Sequence, residues 1–185
     1  MTAIIFLLRP EVMMMGVYCK VWAFAAFFCT GLTMAVLRDS KWSWLWLGLL
    51  GATIAPYGAF CAHWLFLAML PRQAAIGIVK AAILALILNP QLWLHPQASL
   101  ATVSIGGHQA RFAGLAFSLR ENFLTLPGIF IIYPLLTSLG NKTRQVRRMW
   151  YMFAPSFLAM GFLQGEYSYR MVPLYPLMTM LAMQS

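Results

Sequence analysis

Apolar residues in this chain come in long runs, and polar residues are confined to short breaks between them. A helix needs about 20 apolar residues to cross a bilayer's hydrocarbon. Residues 12–37 ("VMMMGVYCKVWAFAAFFCTGLTMAVL") are long enough, with Lys20 in the early turns. Residues 42–70 follow and read as one long or broken helix bent at Pro56, because two halves would each be too short to cross. Residues 74–94 make a third span, with Lys80 inside it, and 123–139 a shorter fourth. Runs 150–163 and 171–183 are shorter still and need tilt, a thinned bilayer or neighbouring helices. Prolines 127, 134, 155, 173 and 176 fall inside these runs, where neighbours can satisfy the carbonyls that they free. The pattern predicts an all-α polytopic transmembrane bundle of about six spans, some short or Pro-broken, forming one integral membrane domain over 1–185.

Composition strengthens that expectation. The chain is 62% hydrophobic and only 9% charged, whereas a soluble domain is about a quarter charged. The formal net charge of +9 does not point to nucleic acid, because the bases are spaced between apolar runs rather than gathered in an arm or stripe. It does favour anionic headgroups, so membrane lipids are the first expected partners. Cys19, Cys29 and Cys61 lie in apolar stretches with no metal-ligand spacing and read as small buried hydrophobes. The apolar stretch "AIIFLL" is too short for a signal peptide and runs directly into "RPE".

Lys and Arg set the expected orientation. "NKTRQVRR" (141–148) carries Lys142, Arg144, Arg147 and Arg148 with no acid, which marks 140–149 as a cytoplasmic loop. Counting spans from it places 71–73 and both termini on the same side. Residues 38–41, the loop 95–122 and the turn 164–170 then fall on the external side. The long loop contains His95, His108, Arg111, Arg120 and Glu121, and "HQARFAGLAFSL" has the spacing of an amphipathic helix on the membrane surface. Lys20 and Lys80 are expected to snorkel to the inner face. Asp39, between Arg38 and Lys41, reads as a local ion pair, and His63, beside Trp64, as a hydrogen-bonded packing residue.

Candidate chemistry centres on "GEYSYRMVPLYPL" (165–177). Glu166 and Arg170, four positions apart, are neighbours on a helix. An interfacial guanidinium can grip a phosphate through two parallel hydrogen bonds, with Glu166 holding it in position and Tyr169 close by. The plain alternative is an arginine that snorkels and a glutamate that neutralises it. Glu121, beside Arg120, precedes a helix whose N-terminus favours an acid. Ser104 and His108 have no orienting acid, which argues against hydrolysis.

The ordered features also resemble a family. "LLRPEVMMMGVY" (7–18), "ALILNPQLWLHP" (85–96), "LRENFLTLPGIFIIYPLL" (119–136) and the closing "GEYSYRMVPLYPLMTML" are similar to segments of GT-C-type glycosyltransferases. These multispan enzymes use polyprenyl-phosphate-linked sugars. The resemblance implies that Arg170 matches the arginine that binds the lipid phosphate on the external face. Met171 departs from the Tyr or His that follows it in the family. The family's first external loop carries a catalytic acid, sometimes with a divalent metal, and none of this chain's four acids occupies that context. The resemblance therefore implies the C-terminal half of such an enzyme: truncated, split or degenerate. It implies no cofactor beyond a divalent metal whose ligands a missing N-terminal half would supply. The implied setting is the bacterial inner membrane, with a polyprenyl-phosphate sugar and a partner subunit or N-terminal half as partners. The competing readings are a non-catalytic membrane subunit and, behind it, a transporter fragment.

Overall fold

The computed structural model describes residues 21–94, 97, 115–116, 119–124, 126–164 and 168–184, and their regular elements are all helical. The first part of the expected 12–37 span, residues 12–20, lies outside the described residues. Helix α1 (Val21–Leu37) carries two threonines in an otherwise apolar run. Thr30 and Thr33 donate back to the carbonyls of Ala26 and Cys29 at 2.7 and 2.8 Å, so neither hydroxyl is left unbonded. The helix ends in a Schellman turn. Asp39 takes the left-handed conformation (φ 51) usual for glycine, while Asp39 N–H donates to Val36 O and Ser40 N–H to Ala35 O.

Helix α2 (Ser43–Thr53) returns antiparallel along α1. The Trp46 ring lies directly over Gly31, where a β-carbon would meet it, and Phe27 and Phe28 flank it with ring centroids at 6.0 and 6.5 Å. Where one bent helix over 42–70 is expected, the chain turns back. Ile54 is extended (φ −145, ψ 98), and Pro56 sits in the first turn of α3 (Ala55–Cys61). A β-carbon at Gly58 would lie 2.7 Å from Gly51 Cα, and that closeness across the break requires reversal. A 3₁₀ turn (Ala62–Trp64) and α4 (Leu65–Ala68) complete the return, bringing Ala68 and Met69 beside Asp39 and Trp42. At 1.5 Å per residue the 11-residue α2 rises only about 16 Å, so the outward leg is too short to cross.

Helix α5 (Pro71–Leu88) runs outward again, parallel to α2. Small buried residues (Ala74, Gly77, Ala81, Ala85) let the backbones approach, with Gly48 against Ala81 O and Gly51 against Ala85. Asn89 then donates to Ala52 O at 2.9 Å, tying the far ends together. The other face of α5, with Ile76, Val79, Ile83 and Ile87, is exposed. Pro90 follows at once, and α6 (Gln91–Leu94) is a single turn. Among the described residues α5 alone is long and apolar enough to cross a membrane, so the six expected spans do not map onto six long helices.

A π-helical turn (Arg120–Leu124) leads into α7 (Leu126–Ser138), and α8 (Arg144–Gln164) follows it through a short hairpin turn. Trp150 Nε1 donates to Ser138 Oγ at 3.1 Å across this hairpin. The expected basic loop is therefore short, because Arg144, Arg147 and Arg148 belong to the opening turns of α8. The 3₁₀ segment Ser168–Leu174 and α9 (Tyr175–Ala182) close the chain, and Asn141 Nδ2 donates to Gln184 O at 3.0 Å. Leu32 and Val36 of α1, Ile131 of α7, Met152 and Met160 of α8, and Leu174 and Leu181 near the end share one core. Trp64 Nε1 donates to Ser156 Oγ at 3.0 Å, locking the return leg onto α8.

Candidate functional site

Helix directions sort the polar residues into two ends. One end holds the α1–α2 turn, the α4–α5 turn, the start of α8 and Gln184. Asp39 accepts from Arg148 at 2.7 Å, with Arg144 at 4.0 Å. Asp39 therefore reaches across to α8 instead of pairing with its sequence neighbours. Three arginines at a helix N-terminus oppose the helix dipole, and the carboxylate offsets them. The same contact corrects the expected topology. Residues 38–41 share an end with the basic 139–148 segment, because 43–68 goes out and comes back. Counting it as one crossing had placed the turn and the basic segment at opposite ends.

The opposite end holds Asn89, the π-helical turn and the close of α8. Leu115 lies over Gly161, where a β-carbon would come within 2.8 Å of its side chain, and the Phe123 ring is 5.6 Å from Phe157. Leu115 and Phe123 thus pack on the Phe157–Gly161 stretch of α8. Arg120 is exposed in the π-helical turn, which also carries the backbone of Glu121. Tyr169 and Arg170 fall in the 3₁₀ segment that follows α8, just where the chain enters the core through buried Met171, Val172 and Leu174. The side chains of Glu121, Tyr169 and Arg170 lie outside what is described, as do residues Glu166, His108 and Arg111 and the greater part of the loop 95–122. Within that loop Leu115, Ala116 and Leu119 are helical. The structure brings the elements carrying Arg120 and Arg170 to one end of the bundle without defining a contact between them.

Sequence reasoning missed the constellation at the basic end. A cavity of about 460 Å³ lies between the α1–α2 turn and α5, lined by Asp39, Lys41, Trp42, Trp44 and Lys80 among others. Lys41 Nζ stands 5.9 Å from the Trp42 ring centroid and Lys80 Nζ 5.7 Å from that of Trp44. The alternation of base and aromatic in "RDSKWSW" was the available signal. Its partner, Lys80, lies a whole hairpin away. Among the described residues no three His, Cys, Asp or Glu side chains gather as metal ligands.

No protein-family profile, no curated protein and no solved structure matches the chain.

Proposed function

We propose that the chain is a polytopic membrane protein that grips the phosphate of a polyprenyl-phosphate-linked sugar at the end of the bundle away from its basic segment. In this reading α1, α5, α7, α8 and the segment 168–182 cross the bilayer, and 43–68 dips in and returns. The observation that carries it is the sorting of charge. Arg38, Lys41, Arg72, Lys142, Arg144, Arg147 and Arg148 belong to one end, Arg120 and the backbone of Arg170 to the other, and the α5 face between them is exposed and, Lys80 apart, apolar. Polar groups at two levels with hydrocarbon between them suit a bilayer.

Arg170 supplies the phosphate grip, Glu166 orients it, and Tyr169 sits beside it at the interface. His108, Arg111, Arg120 and Glu121 border the acceptor side. When the sugar's bond to its phosphate breaks, negative charge grows on the leaving oxygens. A guanidinium aimed at them stabilises that charge more as it develops. The glycosyltransferase resemblance supplies the sugar, and the general base would come from a partner segment. A second reading, a non-catalytic membrane subunit, draws support from the broad exposed face of α5 (Ile76, Val79, Ile83, Ile87), which a partner helix could cover as well as lipid does.

Binding of a polyprenyl-phosphate sugar to the purified chain tests the first reading. Arg170→Ala is expected to weaken it about tenfold or more, the worth of a charge-assisted pair of hydrogen bonds, and Arg170→Lys to weaken it less. Unchanged binding in Arg170→Ala removes the assignment and leaves the subunit reading.

A further inference from the structure

The cavity at the basic end has the chemistry of an anion site at a membrane surface. Lys41 leaves the α1–α2 turn and Lys80 comes from the middle of α5, and both line it. Side chains on a helix lean toward its N-terminus, and the N-terminus of α5 is at the basic end. Lys80 therefore reaches back along the cavity wall and places its ammonium by the Trp44 ring. The lining has a single carboxylate, Asp39, and that group is taken by Arg148 at 2.7 Å. Among the described residues neither lysine has a carboxylate within salt-bridge distance. Two ammoniums thus line one cavity whose single carboxylate is paired with arginine, and one of them rises from a helix whose exposed face is otherwise apolar.

We propose that this cavity holds the phosphate-bearing headgroup of an anionic bilayer lipid, clasped between the Lys41 and Lys80 ammoniums. The walls fit such an occupant. Trp42 is 55% exposed at the rim, where an indole sits well at headgroup level. Ala68, Met69, Ile76 and Gly77 supply apolar lining beside the lysines. Exposed Val79 and Ile83 continue the track along α5 for an acyl chain. A phosphate with no chain would leave that track unused, which favours the lipid over a soluble phosphate. The proposal is independent of the Arg170 site, since it concerns the other end and other residues.

Lipid retention by the purified full chain in detergent, read by native mass spectrometry, tests it. The probes are dioleoylphosphatidylglycerol, dioleoylphosphatidylcholine and inorganic phosphate. The wild type is expected to retain the anionic lipid and not the zwitterionic one, and Lys41→Gln with Lys80→Gln to lower retention about tenfold. Lys142→Gln with Arg147→Gln removes the same charge from exposed positions and is expected to leave retention intact. Lys41→Arg with Lys80→Arg keeps the charge and is expected to restore binding, which separates the site from a folding defect. Equal loss in the two neutralised pairs, or equal retention of the two lipids, overturns the proposal. Full displacement of the lipid by inorganic phosphate overturns the lipid assignment in favour of a soluble anion.

Discussion

Pro155 sits inside α8 and has no N–H, so the carbonyl four residues before it, Tyr151 O, loses its helical partner. His63 from the return leg places Nε2 3.2 Å from that oxygen, and its Nδ1 lies 2.9 Å from Phe60 O. A neutral imidazole has one N–H for the two carbonyls, and as the Nε2–H tautomer it fills the hydrogen-bonding gap that the proline opens. His63→Phe is expected to cost about 1 kcal/mol of stability, because it strips a donor from the exposed Tyr151 carbonyl. Adding Pro155→Ala restores the helical N–H, so the histidine loses its purpose and the double variant should lose less than the sum. Chemical unfolding of the four proteins in detergent gives the coupling, expected at about 1 kcal/mol. Strictly additive losses would show that the two residues act separately. Each was visible in sequence: the histidine as a polar residue in an apolar run, the proline as a helix interruption. Their connection was not, because 88 positions separate His63 from the Tyr151 carbonyl and no periodicity links them.

The helices at the level of whole elements were largely legible, since apolar runs bounded by Gly140-Asn141 or Arg38-Asp39 stop where those residues demand it, whereas the run read through to 94 ends at Leu88, before Asn89-Pro90. The reversal after α2 was not. Gly51 and Gly58 are spaced as same-face neighbours on a continuous helix, and Pro56 alone implies a bend. Only the extended Ile54 turns the same residues into a crossing where two glycine backbones meet. Gly58→Ala pushes a β-carbon to 2.7 Å from Gly51 Cα, and backbone cannot yield as a flexible side chain can. Its expected cost is about 1–3 kcal/mol. Gly51→Ala meets nothing nearer than 3.4 Å and should be milder. Thermal unfolding that ranks the two variants the other way would mean that the crossing is looser than its geometry. The closing segment shows the same limit. Tyr169 and Arg170 were singled out by their chemistry, yet the burial of Met171–Tyr175 against the core comes from packing on α1, which the local sequence does not encode.

For the whole molecule the hairpin changes the meaning of the charge pattern. If 42–70 crosses once, Arg38 and Lys41 face away from the basic segment and the positive bias is weak. If it goes out and returns, Arg38 and Lys41 join Arg72, Lys142, Arg144, Arg147 and Arg148, and the asymmetry becomes strong in the sense expected for a cytoplasmic face. The Arg148–Asp39 contact at 2.7 Å is what distinguishes the two, because no single crossing can leave those residues on opposite sides and still pair them. Cysteine labelling in intact membranes decides it. With Cys19, Cys29 and Cys61 replaced by Ala, single cysteines at Lys41, Lys142 and Pro90 probe the α1–α2 turn, the basic loop and the far end of α5. The first two are expected to react from the same face, and the third from the other. Lys41 and Lys142 labelling from opposite faces would restore the single crossing and dissolve the Lys41–Lys80 cavity with it, because that cavity exists only where the return leg brings Ala68 and Met69 back to the α1–α2 turn.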